Sequence, residues 1–507
     1  MVLLRARPKN GIGRPGEALS QARPPWDLPR AGRAFFLIVC AAILVLAGAR
    51  SPRSYGDGLE YYLMSESLFN HHTPDLEPED LASLTGLSKR FGSGVGGAGF
   101  QSAYFQKDAT HWYCRHFWAY PLLILPAKTL LHSLGLNELK APQLTNAVLF
   151  TASLLRVLTL ASLTPRQRLL LGFLLLFSPA MLFVLWPHPE VFSFAFVMFA
   201  LTFMHEGRWT LGTLCASIAS TQNPPLVVLV AFLWFLGILN AERTVRWRRA
   251  LDLTLAALPA LVSPLFYQAL FGVPSLAPLS IHNVSLSRVL ELLFDFNIGL
   301  LPYIPVTLAL VTGLVGWEVV RARPWRGTQL AAVLLVMMLG CAAIVTWNTA
   351  SAGPSRYTIW MLPVVFYIAV ASEGASDLLS RSGGVYRKAL VLAIGVQAAI
   401  VLSQGGLFAP DRSREHSYLA RAVLNHFPAW YNPSYELFLA RTPHQDSTAP
   451  HPCIYADGGR CRKALVKRRR GHAAQLIESC GFLPEAYRTW FDEAHPGDRD
   501  EWGYISY

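Results

Sequence analysis

Charge is scarce in this chain of 507 residues, since 15% are Asp, Glu, Lys or Arg against about a quarter in an ordinary soluble domain. The balance is apolar, with 52% hydrophobic residues, so the composition points away from a simple soluble enzyme. Disorder is excluded as well, because 12% aromatic residues and a mean hydropathy of +0.33 oppose its compositional pattern. Cysteine is sparse: there are seven, none in a CxxC pair, which excludes a zinc-finger type of site. No internal repeat is visible. A phosphate loop is missing too, because Gly92-Ser93-Gly94-Val95-Gly96-Gly97-Ala98-Gly99 lacks the closing Gly-Lys-Ser/Thr and reads as a mobile segment or lid. The net charge of +12 does not argue for nucleic acid, because the basic residues sit in short stretches between apolar blocks.

Those blocks are what the sequence has in abundance. Residues 1–33 are basic, and an apolar run, Ala34–Ala49, follows, the order expected of a cytoplasmic N-terminus before a first membrane span. Further apolar stretches lie at Ala141–Leu160, Arg168–Trp186, Val191–Met204, Thr210–Thr221, Leu226–Leu239, Ala250–Phe271, Gly299–Val320, Leu330–Thr346, Thr358–Ala371 and Ala389–Ser403. Together they predict an all-α polytopic membrane protein of about 11 transmembrane helices. Basic connections around Arg243–Arg249, Arg321–Arg326 and Arg381–Lys388 would face the cytoplasm. Residues 50–140 then form a long first outer loop with an interfacial helix over 117–134. Residues 34–404 are the transmembrane domain, and 405–507 are a small extracytoplasmic C-terminal domain. The expected location is an inner or plasma membrane, with many passes. Outside the cytoplasm, Cys453 and Cys461 would suit a disulfide.

The string Ser54-Tyr55-Gly56-Asp57-Gly58-Leu59-Glu60-Tyr61-Tyr62 directly follows the first apolar run. Two carboxylates three residues apart share one face of a helical turn and suit a general base. The same spacing is a helix-start pattern in its own right, with Asp at the N-cap and Glu at the third helical position. Both readings stand on spacing alone. His111-Trp112-Tyr113-Cys114-Arg115-His116, Pro187-His188-Pro189-Glu190, Phe294-Asp295-Phe296-Asn297 and Gly353-Pro354-Ser355-Arg356-Tyr357 are the other polar strings beside apolar blocks. Their ordinary roles would be anchoring at headgroup level and turn formation. A metal set of His111, Cys114 and His116 is a lesser alternative.

In architecture over about the first 400 residues, and in these short motifs, the chain resembles the GT-C glycosyltransferase superfamily. Its relatives include the protein O-mannosyltransferases and the lipid A aminoarabinose transferases. The resemblance implies transfer, with inversion, of a monosaccharide from a polyprenyl-phosphate sugar to a glycan, lipid or protein acceptor at the outer face, among membrane lipids. It makes Asp57 or Glu60 the catalytic carboxylate, and Arg115, His116 and Arg356 the contacts to the donor phosphate. His188, Glu190 and Tyr61 would bind the acceptor. No metal set is assigned, although a divalent cation is compatible. Two other classes compete: a polytopic transporter or lipid flippase, which would need charged residues inside spans and inverted repeats, and a noncatalytic membrane scaffold.

Overall fold

Helix boundaries follow local chemistry along the chain. Thr164 caps the helix Pro165–Leu176 through a reciprocal box with Gln167, Glu77 and Asp80 do the same for Pro78–Arg90, and Ser285 accepts from Arg288 N at the start of Leu286–Phe294. In both boxes proline stands in the first turn, where its missing N–H costs nothing. The computed structural model describes residues 28–507 apart from 55, 96–102, 109, 278, 322–325, 346, 348–352, 382–383, 443–451, 468–469, 485–486 and 488–501. Most of the basic N-terminal segment and the Gly96-Gly97-Ala98-Gly99 part of the expected lid therefore lie outside the described residues.

The core is built around one helix. All ten residues of Leu362–Ala371 are buried, and Pro165–Leu176, Glu190–His205, Pro305–Val320 and Arg326–Ala342 pack around it. A helix apolar on every side has only such a central place to go. Beside this bundle, Gly58–Asn70 packs on Pro78–Arg90 and on Ala119–Ser133, where buried Lys128 pairs with Glu66 and, at 3.6 Å, with Glu138. Residues 117–134, expected at a membrane interface, thus supply a helix held by an internal ion-pair cluster.

Two small antiparallel sheets complete the fold. In the first, β1 (Asp75–Leu76), β2 (Tyr104–Gln106) and β3 (Trp112–Cys114) lie in the order β1-β3-β2, with Asp75 opposite Tyr113 and Tyr104 opposite Cys114. In the second, β4 (Cys453–Asp457), β5 (Arg460–Lys467) and β6 (Trp502–Ser506) lie in sequence order. Alternation along β5 sends Leu465 to a cluster with Leu424 and Phe438, and Ala464 and Val466 to another with Leu476 and Ile505. A disulfide joins Cys461 to Cys480. The expected Cys453–Cys461 pairing is therefore wrong, and Cys453 is a buried free thiol.

The expectation of about 11 spans is overturned. Among the described residues, three helices are long and apolar enough to cross a membrane, Arg30–Ala49, Arg356–Arg381 and Val385–Phe408, or up to four if the bent pair Arg243–Ala257 and Pro259–Phe271 counts as one. The reason is length. Leu226–Leu239 yields a helix of 13 residues, about 20 Å at about 1.5 Å per residue, against about 30 Å of hydrocarbon. Arg168–Trp186 breaks at Ser178-Pro179, and Ala250–Phe271 bends by 47° at Pro259. Polar burial is the second reason: Ala141–Leu158 buries Gln143, Thr145, Asn146, Thr151 and Ser153 against its neighbours. Of the three long helices, Arg356–Arg381 has 94% of its apolar window buried inside the fold. Its hydropathy reports packing against protein.

Candidate functional site

Asp57 sits immediately before the first turn of the helix Gly58–Asn70, and Glu60 is at its third position. The spacing is that of a capping box, yet Asp57 makes no side-chain cap hydrogen bond. Its backbone carbonyl accepts from Glu60 N at 3.1 Å, while its carboxylate turns away from the helix. The flanking glycines explain how the chain manages this. Gly56 has φ +49°, in the left-handed region, and a Cβ on Gly58 would stand 2.6 Å from Pro187 Cγ.

Three basic side chains converge on the two carboxylates. Arg356 Nη1 donates to Asp57 Oδ2 in an ion pair between residues 299 apart. Arg115 Nη2 stands 3.4 Å from Asp57 Oδ1 and 3.6 Å from Glu60 Oε1. His116 Nε2 lies 3.3 Å from Asp57 Oδ2 and 3.2 Å from Glu60 Oε2. Arg115 and His116 follow β3 directly, and Arg115 N donates to Ala103 O at 2.8 Å, which extends the pairing of β2 and β3. Arg356 is placed from the other side, where Ser355 N donates to Ile298 O at 2.8 Å. Asp295 in turn holds that loop by accepting from Asn297 N and Ile298 N. The string around Phe294 and Asn297 thus positions an arginine.

The turn Trp186–Glu190, expected at an outer tip, is buried: His188 is 4% exposed and Glu190 3%. Asn146 Nδ2 fixes it by donating to Trp186 O at 2.6 Å and His188 O at 3.3 Å. His188 Nδ1 approaches Glu190 Oε2 at 3.8 Å. The Tyr61 ring lies between the His188 and His116 rings, with centroids 5.8 and 5.6 Å away. All eight residues assigned to the site from the sequence therefore meet in one region. Sequence reasoning missed Tyr104, whose hydroxyl donates to Glu60 O, and Tyr267, whose hydroxyl donates to Cys114 O. Nothing in the sequence marks a partner 153 residues away. Asn146 carried a usable signal, a polar amide within an apolar helix.

The pair of carboxyls is pushed apart in acidity. Burial alone would raise Asp57, but Arg356 and His116 beside it hold it well below the usual aspartate range. Burial raises Glu60, and the Asp57 charge adds to this, against the pull of His116 and Arg115. Such a split separates a group held charged from one able to exchange a proton. Arg115 Nε and Glu190 Oε2 are buried without hydrogen bonds among the described residues. Asp57 and Arg356 keep 18% of their side chains exposed, so the cluster opens at its rim.

Among the described residues, two groups of side chains could hold a metal ion: Asp57, Glu60 and His116, and Asp75, Glu77 and His111, each offering ligand atoms within 4.8 Å of one another. The alternative set of His111, Cys114 and His116 is not among them: Cys114 Sγ instead donates to Glu60 Oε2 at 3.4 Å.

No protein-family model, curated protein or solved structure matches the chain. The GT-C resemblance rested on a polytopic bundle, and three candidate spans do not make one. With it fall the glycosyltransferase activity, the polyprenyl-phosphate sugar donor with its glycan, lipid or protein acceptor, and the multi-pass membrane location with membrane lipids as partners.

Proposed function

We propose that the chain binds a divalent cation together with an oxyanion of the phosphate class at the site formed by Asp57, Glu60, His116, Arg115 and Arg356. One observation carries this reading: two carboxylates and an imidazole offer ligand atoms within 4.8 Å of one another, with two guanidiniums directly beside them. Carboxylate and imidazole together suit a divalent transition metal or magnesium-like ion. Charge supports the reading as well. Asp57, Glu60 and Glu190 face Arg115 and Arg356, so a cation of charge two leaves a local positive excess that an anion completes. The planar forks of Arg115 and Arg356 are the natural oxyanion contacts, and the buried Arg115 Nε, which has no hydrogen-bond partner among the described residues, is a further donor.

Within this reading Asp57 stays ionised and orients both the cation and Arg356. Glu60, whose pKa burial raises, would have to give up its proton to hold the cation. Tyr61 packs beside the His116 ring, and His188 packs beside Tyr61. A bound cation would supply charge stabilisation of the oxyanion. The test is calorimetric titration of the full chain with Mn2+, and then with inorganic phosphate in the presence and absence of Mn2+. The reading expects Mn2+ to tighten phosphate binding, and Asp57→Asn to weaken Mn2+ binding at this site at least tenfold. Phosphate that fails to bind under either condition, or an Asp57→Asn protein that matches wild type, leaves the cluster as an ion-pair staple between two distant segments.

A further inference from the structure

A second cluster lies away from that site, on the short sheet. The β2–β3 hairpin is closed by Lys107 N donating to His111 O at 3.0 Å, and Asp108 anchors its turn. The Asp108 carboxylate accepts from Thr110 N at 3.0 Å, Thr110 Oγ1 at 3.1 Å and His111 N at 3.0 Å. The same oxygen takes His111 Nδ1 at 2.8 Å. In the neutral imidazole, a proton donated from Nδ1 leaves the lone pair of Nε2 free. It points at Asp75 Oδ2, 3.7 Å away, and Glu77 Oε1, 4.0 Å away. Both separations are too long for hydrogen bonds and close to the spacing of neighbouring ligand atoms around a single ion, which is about 3.4 Å for ligands about 2.1 Å from a tetrahedral zinc.

Asp75 provides a second observation. Its side chain is 7% exposed, and its carboxylate makes no hydrogen bond among the described residues. A buried carboxylate without hydrogen bonds is costly, and this one is aimed at the free imidazole nitrogen. Neither Lys nor Arg forms an ion pair with Asp75, Glu77 or Asp108 among the described residues, so the three carboxylates surround one imidazole. Glu77 is itself fixed, because it closes the capping box of the helix Pro78–Arg90.

We infer that Asp75, Glu77 and His111 bind one divalent transition-metal ion of the zinc class, and that this ion clips β1 and the start of the helix Pro78–Arg90 to the β2–β3 hairpin. Asp108 is the positioning residue, holding the imidazole tautomer as carboxylates behind metal-bound histidines do. The ion would also steady β3, which runs directly into Arg115 and His116. No residue is shared with the Asp57 set, so the inference stands whether or not the proposed function does.

The experiment is titration of the full chain carrying Asp57→Asn with Zn2+ by calorimetry, and with Co2+ followed by visible absorption. One ion per chain is expected, with a ligand-field band for Co2+. Adding His111→Ala should lose at least a hundredfold in Zn2+ affinity, and Asp108→Ala about tenfold to a hundredfold. Zn2+ should raise the melting temperature of the Asp57→Asn protein and leave that of the His111→Ala double variant unchanged. If the Asp57→Asn chain is not monodisperse, wild type and His111→Gln are compared instead, and one ion fewer is expected in the variant. A His111 variant that binds Zn2+ as tightly and in the same number as its parent overturns the proposal, as does absence of Zn2+ binding in folded parent protein.

Discussion

The carboxylate of Asp57 is held by the guanidinium of Arg356, 299 residues further along the chain. This pair ties the start of the helix Gly58–Asn70 to the short helix Arg356–Ile359 that precedes the most deeply buried helix of the core. Removing one partner of a buried ion pair costs about 3–5 kcal/mol, and the 18% exposure of both side chains places this pair at or below the lower end. Arg356→Gln and Asp57→Asn should therefore each lower the unfolding midpoint in urea, and the double variant should lose clearly less than their sum. Strict additivity in that cycle would show that the pair contributes no coupling.

Acid should act on the same pair. Asp57 is held well below the ordinary aspartate value of 3.8, so below that value the unfolded chain binds a proton that the folded chain refuses. Its contribution to stability is fully present above about pH 4–5 and is lost as pH falls through the folded value. Thermal melts from pH 6 to pH 2 should show a steeper loss for wild type than for Asp57→Asn. Parallel curves would remove Asp57 from the account of acid stability.

The sequence marked the side chains that converge at Asp57 and left their setting illegible. Asp57, Glu60, Arg115, His116, His188, Glu190 and Arg356 could be picked out because each is polar beside apolar blocks. The blocks themselves misled, because hydropathy counts an apolar residue equally whether it faces lipid or another helix. Val364, Val365 and Phe366 face other helices. Helix breaks such as Ser178-Pro179 were visible as residues but not as limits on length. Asp57 and Glu60 illustrate a finer ambiguity: their spacing is that of a cap, and only the position of Arg356 in space decides where the carboxylate goes.

Glycine at position 58 is required by Pro187. A Cβ there would lie 2.6 Å from Pro187 Cγ, and the ring is fixed in the buried turn before His188. Gly58→Ala should destabilise by about 1–3 kcal/mol through overpacking and shift the Asp57 carboxylate. Gly86→Ala, in the helix Pro78–Arg90 with nothing within 4 Å of the added atom, should be neutral or stabilising by up to about 1 kcal/mol. Denaturation midpoints of the two variants would check this contrast, and equal effects would refute it.

The disulfide Cys461–Cys480 closes 19 residues around the helix Arg470–Cys480, a loop for which a constraint of about 3 kcal/mol is typical. Reduction should lower the unfolding midpoint of the C-terminal sheet and leave the helical core almost unchanged. Peptide mapping of the oxidised protein should recover Cys461 linked to Cys480, with Cys453 alkylated only after unfolding. A Cys453–Cys461 peptide would contradict this pairing.

Buried His416 joins the C-terminal residues to the loop that positions Arg356. It accepts from Asn297 Nδ2 at 3.2 Å and donates to Thr442 Oγ1 at 3.1 Å, while Asn297 also donates to Tyr431, whose hydroxyl donates to Asp295 at 2.8 Å. Burial, with Arg441 and Arg421 nearby, pushes the imidazole down to about 3. Below about pH 6.5 the unfolded chain takes up a proton that the folded chain does not, so this joint weakens as pH falls from about 6.5 towards 3. His416→Gln should flatten the pH dependence of stability in that window, at the cost of some stability at pH 7. The protection factors of the Ile298 and Ser355 N–H groups against hydrogen exchange should fall at pH 5 in wild type and change less in the variant. If the two proteins exchange alike at pH 5, His416 does not control the loop beneath Arg356.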